Sequence, residues 1–306
     1  MRFKKLDLNL LVALDHMMTL RSVSAAADKM FMSQSAMSNA LNRLRQHFDD
    51  PLLVLVGKRM ELTPRAEAMQ GPLRDILVRI EATIEEHPEF DPSVSTRTFN
   101  VLVSDYTLRV LGAAVLREFE KDRAACKINF LSQTEKPAIM LERGAADLLV
   151  SPEVMLSKDH PSSLLFEDEY VVIACSNSVH AGQPMTRQRY AEAEHVAMRP
   201  PNSDQVAAEE TLVQMAGVER NIIATTFSFS TLPHLLSGTD KLATVHGKLA
   251  MVVGQNATID VFPLPFDQAV FRQALQWHSY REQDTGLMWL RSAFERAAST
   301  LGDHPF

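Results

Sequence analysis

Cysteine is nearly absent: Cys126 and Cys175 are the only two in 306 residues. They stand far apart, outside any CxxC or Cys/His spacing, so neither a zinc site nor a disulfide framework is indicated. They read as two buried apolar thiols in a reducing compartment. No apolar run reaches the ~18 residues that a membrane helix needs. Met1-Arg2-Phe3-Lys4-Lys5 is basic, but Asp7, Asn9 and Asp15 break up the next stretch, unlike the apolar core of a signal peptide. A cytoplasmic protein is expected, without membrane contact. Enzyme signatures are missing as well: there is no GxSxG elbow, no HExxH, no P-loop and no GxGxxG. Ser, His and Asp are plentiful but scattered. No catalytic residue, metal site or cofactor is expected.

What is present is a charge division. The formal net charge is −7. Residues 1–65 hold ten Lys/Arg against six Asp/Glu, a net of +4, while the remainder carries 21 against 32, a net of −11. A basic head on an acidic body suggests that only the head meets a polyanion. The length suits about two domains, each able to bury a core.

The head reads as three helices and a hairpin. Leu10, Leu11, Leu14, Met17 and Met18 recur at helical spacing over residues 7–19. Ser22 can cap a short second helix whose Ala25-Ala26-Ala27 run lets another helix approach closely. Phe31-Met32 makes the turn, and Ser33 caps a third helix with Met37, Leu41, Leu44 and Phe48 facing inward. Its outer face is a stripe of short hydrogen-bonding side chains, Ser35, Ser38, Asn39 and Asn42. Gln34 stands at its start, and Arg43 and Arg45 lie farther along. Such side chains can reach base edges in the major groove, with Arg on bases or phosphates. The competing reading is an ordinary solvated face, but that would more often carry Glu and Lys. Residues 51–56 and 60–62 are short apolar strands around Gly57-Lys58-Arg59, a basic hairpin placed as a wing to touch phosphates.

Thr63-Pro64 starts a further helix, with Thr as cap and Pro at the first position. Met69, Leu73, Ile76 and Ile80 fall at heptad-like spacings, consistent either with a dimer seam or with packing on the helix's own domain. His87-Pro88 ends it. The boundaries expected are therefore 1–62 for a winged helix-turn-helix, 63–87 for a linker and dimerisation helix, and 88–306 for a second domain.

That second domain alternates strand and helix. Strands are expected at 99–103, 127–131, 147–150, 170–174, 222–226 and 242–245. Helices are expected near 107–120, 136–143, 204–216 and 231–237. This pattern argues for a parallel α/β sheet with ligands at the carboxyl ends of strands. Those ends offer Ser104, Asp105, Tyr106 and Thr107; Ser151 and Glu153; Arg199 and Asn202; Phe227, Ser228 and Phe229; and His246. The phenylalanines could stack a ring or simply be core. The hydroxyls could bind oxygens, and Arg199 or His246 could balance an anion or be structural.

Leu6–Leu11, Ser24-Ala25-Ala26-Ala27, Ser33–Ser38 and Leu41–Arg45 resemble the LysR-type transcriptional regulators. Residues 144–150 and 238–245 match that family's signatures farther on. The resemblance implies a winged helix-turn-helix head, a dimerising linker helix, and a two-lobed body like periplasmic binding proteins with an effector between the lobes. Gln34, Ser35 and Ser38 would then lie in the major groove of double-stranded promoter DNA. Leu55 stands where the family's wings often carry Arg, and Lys58 and Arg59 could take over that phosphate contact. Phe90-Asp91-Pro92, Ser95, Arg97 and Phe99 look like the branch of nodulation and aromatic-catabolism regulators. That kinship implies an activator of an aromatic-degradation operon, a homodimer paired into a tetramer, and RNA polymerase as a candidate partner. The effector would be a small phenol, chlorinated phenols and hydroquinones included; a flavonoid or a non-aromatic metabolite is the alternative. A secreted solute-binding protein would need a signal peptide, and a DNA-coating protein would be basic throughout.

Overall fold

The computed structural model describes residues 7–57, 59–84, 90–133, 137–199, 208–254 and 258–302. The chain divides into two compact units, residues 1–86 with 142–144 and residues 87–141 with 145–306.

The first unit holds α1 (Leu8–Leu20), α2 (Val23–Lys29), α3 (Gln34–Phe48), β1 (Leu53–Val56), β2 (Arg59–Leu62) and α4 (Pro64–Ile84). Each helix begins where a short polar side chain satisfies a free backbone amide. Asp7 accepts from Asn9 N at 3.0 Å, Ser22 from Ala25 N at 3.2 Å, Ser33 from Ala36 N at 3.2 Å, and Thr63 from Ala66 N at 3.1 Å. Each cap contributes about 1 kcal/mol. Leu14, Met17, Met18, Met37, Leu44, Leu52 and Leu53 are fully buried between them. Ala26 and Ala27 in the same core let α2 and α3 close on each other. β1 and β2 pair antiparallel from Leu53–Leu62 to Val56–Arg59, with Gly57 left-handed at the turn (φ 64°). α4 packs on α1, and Arg74 forms an ion pair with buried Asp15.

The second unit contains β3 (Thr98–Val103), α5 (Asp105–Lys121), β4 (Lys127–Ser132), α6 (Pro137–Glu142), β5 (Leu148–Pro152), β6 (Ser162–Asp168), β7 (Tyr170–Cys175), α7 (Arg187–Glu192), β8 (Glu194–Met198), α8 (Ala208–Met215), β9 (Asn221–Thr226), α9 (Leu232–Leu236), β10 (Leu242–His246), α10 (Gly247–Gly254), β11 (Ile259–Pro263), β12 (Phe271–Gln276) and α11 (Thr285–Ala298). Two five-stranded sheets result, in the orders β4-β3-β5-β12-β6 and β11-β7-β10-β8-β9. One apolar cluster runs through both, from Phe99, Val101 and Phe294 to Val171, Ile173 and Leu249.

The sheets are mixed, not purely parallel as the alternation implied. β12 runs antiparallel to β5 and β6, and β7 antiparallel to β10 and β11. The chain crosses from one sheet to the other at Glu169 and returns over 264–270. A strand entering from the opposite sheet arrives pointing the other way. The sequence pattern does not announce β6, β8, β11 or β12. β12 (FRQALQ) lacks an apolar face because Gln273 and Gln276 are buried as hydrogen-bonding residues. Gln276 donates to Ser157 O at 2.7 Å and His160 O at 3.2 Å.

Candidate nucleic-acid interface and effector pocket

The outer face of α3 is built as the periodicity implied. Met37, Ala40, Leu41 and Leu44 are buried, which turns Gln34, Ser35, Asn39, Asn42 and Arg43 into solvent and leaves Ser38 half-buried among them. The Ser35 hydroxyl sits 3.0 Å from the capping Ser33 hydroxyl. Arg59 is exposed on β2, while Lys58 lies outside the described residues. Leu55 is 68% exposed near the hairpin tip, beside exposed Val56. Arg45 departs from its expected role. Its Nε donates to Pro51 O and its guanidinium to Leu53 O, both at 2.8 Å, so it braces the start of the wing instead of projecting outward. An Asp50 carboxylate finishes that corner, accepting from Thr63 Oγ1 at 2.6 Å and Leu52 N at 2.7 Å.

The expected dimer seam on α4 is also partly corrected. Leu73 is buried in the head's own core together with Leu77, and Met69 packs against the same cluster. The stripe that would meet a partner is the stripe that covers α1. Ile80 is half-buried, and Ile76, 49% exposed, is the member of the set that faces solvent.

In the body, most expected effector contacts are satisfied internally. Ser104 caps α5, accepting from Thr107 N at 3.1 Å. Thr107 is buried and accepts from Gln273 Nε2 at 2.8 Å, and Ser151 is buried in β5. Tyr106 donates to Asp168 Oδ2 at 2.5 Å and stacks on His246, ring centroids 3.7 Å apart. Phe166, Phe229 and Phe271 pack edge-on around this pair. Burial drives the His246 imidazole down to about 3, so it stays neutral; burial and the Asp168 charge push the Tyr106 phenol well up. Asp168 also accepts from Glu169 N at 2.8 Å and Lys248 N at 3.1 Å. Ser228 donates to Asp105 Oδ2 at 2.7 Å. Arg199 is exposed and 3.4 Å from Glu210, and Asn202 lies outside the described residues. Phe227 is 72% exposed.

An open pocket of ≈760 Å³ lies elsewhere in the same unit. Its apolar walls are Met155, Leu212, Met215, Phe266 and Phe271; Tyr170 and Thr211 are neutral polar groups in the lining, and Glu153, Arg187 and Asp267 are charged ones. Arg272, 3.0 Å from Glu153, also lines it. Of the eleven described strand-end residues, Glu153 lines it and the other ten do not. The segments that build it, 152–155, 208–216 and 266–272, are distant in sequence, and no single one carries a motif. Beneath α8, buried Glu209 pairs with buried Arg220, which also donates to Tyr190 Oη at 3.3 Å. Among the described residues, no cluster of three or more His, Cys, Asp or Glu could hold a metal ion. None of the described helices is long and apolar enough to cross a membrane.

Residues 8–67 match the model of the bacterial regulatory helix-turn-helix proteins of the lysR family. Nodulation protein D 1 of Rhizobium tropici is 35% identical over 301 residues, covering 98% of each chain. Nodulation protein D of Bradyrhizobium sp. is 33% identical over 99% of this chain and 90% of that protein. Among solved structures, a probable transcriptional regulator from Pseudomonas aeruginosa aligns over 94% of this chain and 97% of its own (TM-score 0.63, 26% identity). Full-length CbnR complexed with its target DNA shares the fold over 95% of this chain and 100% of its own (TM-score 0.61, 14% identity). The chain belongs to the LysR family, whose members are DNA-binding transcription regulators with a helix-turn-helix head.

Proposed function

We propose that this regulator binds a two-fold promoter site as a homodimer, itself paired into a tetramer, and activates transcription when a small phenolic effector occupies the body. The exposed polar stripe of α3 carries the DNA half of this reading. Gln34, Ser35 and Ser38 present short donors and acceptors where base edges would lie, and Asn39, Asn42, Arg43 and Arg59 flank them. Ile76 on α4 is the exposed apolar residue offered to a second copy.

The effector half rests on the pocket. Its ≈760 Å³ falls in the range of small-molecule sites. Met155, Leu212, Met215, Phe266 and Phe271 provide an apolar slot for a ring, and Tyr170 and Thr211 provide partners for its oxygens. Similarity over nearly the whole chain to nodulation protein D supports the branch whose kinship implies a phenolic effector. Effector binding would shift the populations of two quaternary arrangements and so alter the DNA bend. The target operon would serve aromatic degradation, with RNA polymerase as a candidate partner.

Two measurements test the two halves. Footprinting of the full chain is expected to protect one discrete two-fold site; protection of long tracts would sink the operator reading. A thermal-shift screen of the full chain against salicylate, flavonoids, chlorinated phenols and hydroquinones is expected to give a phenol-specific stabilisation. That stabilisation should rise with the logarithm of ligand above its dissociation constant. Silence across the panel would remove the aromatic effector and leave the DNA reading intact.

A further inference from the structure

Outside the α3 stripe, the head contains a groove of ≈560 Å³. Gln34 from the start of α3 and Arg59 from β2 both line it, and so do Arg21 and Glu61. Arg21 is the residue after α1, and Glu61 projects from β2. They form an ion pair at 2.5 Å, with both side chains exposed to water. The groove therefore joins the two elements that the proposed DNA contact uses, and a carboxylate sits inside it.

Arg21 ends α1 in the left-handed region (φ 46°), as Asp49 ends α3 (φ 49°), so its backbone is an ordinary helix terminus. Two features of this pair need a reason. An ion pair this exposed stabilises the fold very little. A carboxylate close to incoming phosphates weakens DNA binding unless it is neutralised. Both are met if the guanidinium has a second partner. A phosphate accepts the same paired, charge-assisted hydrogen bonds as a carboxylate, so it can compete for Arg21 at small cost to folding.

We propose that Arg21 is a backbone-phosphate contact held in check by Glu61, and that this exchange of partners keeps binding to non-operator DNA weak. On the operator, base contacts from α3 seat the duplex deeply, and a phosphate takes Arg21 from Glu61. On other sequences the duplex rides higher, Arg21 stays with Glu61, and the carboxylate repels the backbone. The inference rests on α3 and β2 facing the duplex.

Titrating salt while measuring the affinity of the full chain for operator and non-operator duplexes tests it. Arg21→Gln is expected to weaken operator binding about five- to tenfold near physiological salt and to reduce the slope of log K against log salt by about 0.9, one phosphate contact. Arg21→Lys is expected to keep most of that slope. Glu61→Gln is expected to tighten non-operator binding roughly threefold, more than operator binding, and so to lower the specificity ratio. Most of that gain should vanish in an Arg21→Gln background. An unchanged operator slope in Arg21→Gln overturns the phosphate contact. A Glu61→Gln gain that persists without Arg21 overturns the restraint, leaving only bulk charge. Loss of affinity for both duplexes with a lower melting temperature in Glu61→Gln marks a wing brace and overturns both. Ser38→Glu separates the levels. If it still binds operator, α3 does not face the duplex and the DNA reading itself falls. If it does not, while Arg21→Gln keeps the full slope, only this inference falls.

Discussion

The same side-chain chemistry is put to opposite uses in the two units. On α3, the Gln34, Asn39 and Asn42 side chains point into water, because Met37, Leu41 and Leu44 occupy the inward stripe. At the strand ends of the body, Ser104, Thr107 and Ser228 are turned toward the protein. Ser104 caps a helix, Thr107 holds Gln273, and Ser228 holds Asp105. A polar group on an exposed helix face keeps its hydrogen-bonding capacity for a ligand. A polar group at a strand end beside a helix start is drawn into capping that helix or pairing with other side chains of the protein. Residue type at a topologically favoured place is therefore a better guide on the surface of a helix than at the end of a sheet.

The largest effect is expected from spoiling the helix face alone. Ser38→Glu places a carboxylate at the centre of the α3 stripe. It is expected to cost operator affinity about a hundredfold or more, through lost base contacts and repulsion of the phosphates. The body's melting transition should be unaffected. Operator affinity within a factor of two of the parent, measured by gel shift, would show that the stripe is merely solvated.

The body's buried aromatic cluster gives the next effect, and it is a matter of pH. His246 and His195 are held neutral by burial, with imidazoles at about 3 and about 4 against an ordinary 6.5. Between those values and 6.5 the unfolded chain binds more protons than the folded one, so stability rises with pH across that window. It is complete above about pH 6.5 and falls on acidification toward 4. His246→Phe keeps a flat ring against Tyr106 while removing one titrating group. The slope of stability against pH between 4 and 6.5 should then fall by about one proton. An unchanged slope in denaturant titrations would mean that His246 is not held neutral by the fold.

How much of this is legible in the sequence depends on range. The head is local: Ser22, Ser33 and Thr63 announce their helices within three residues, and a 3.6-residue period fixes which side of α3 faces out. The same locality misleads for α4, since Leu73 belongs equally to a seam and to a core, and only the position of α1 decides. In the body, β7 is a continuous apolar run and β5 begins with one, Leu148–Val150, and both stand out. β12 does not, because Gln273 and Gln276 are buried with partners from 107 and 157–160, and no window of sequence contains both ends of such a bond. The pocket is hidden for the same reason: 152–155, 208–216 and 266–272 meet only when the chain has crossed twice between sheets.

Two phenylalanines carry the contrast down to single side chains. Phe271 lines the ≈760 Å³ pocket and touches the Tyr106–His246 pair from its other side. Phe227, which its place at a strand end singled out, is 72% exposed and outside that lining. Phe271→Ala should remove a wall of the slot and shift the effector dose–response about tenfold or more toward higher concentration. That corresponds to losing about 1.4 kcal/mol or more of binding, in line with deleting one ring face. Phe227→Ala should leave the dose–response within about twofold, since a side chain that faces water has little contact to lose. Both variants should retain operator binding in the absence of effector. The reverse pattern, a large shift for Phe227 and none for Phe271, would return the effector to the strand ends near Ser228. It would also mean that the open pocket serves another purpose.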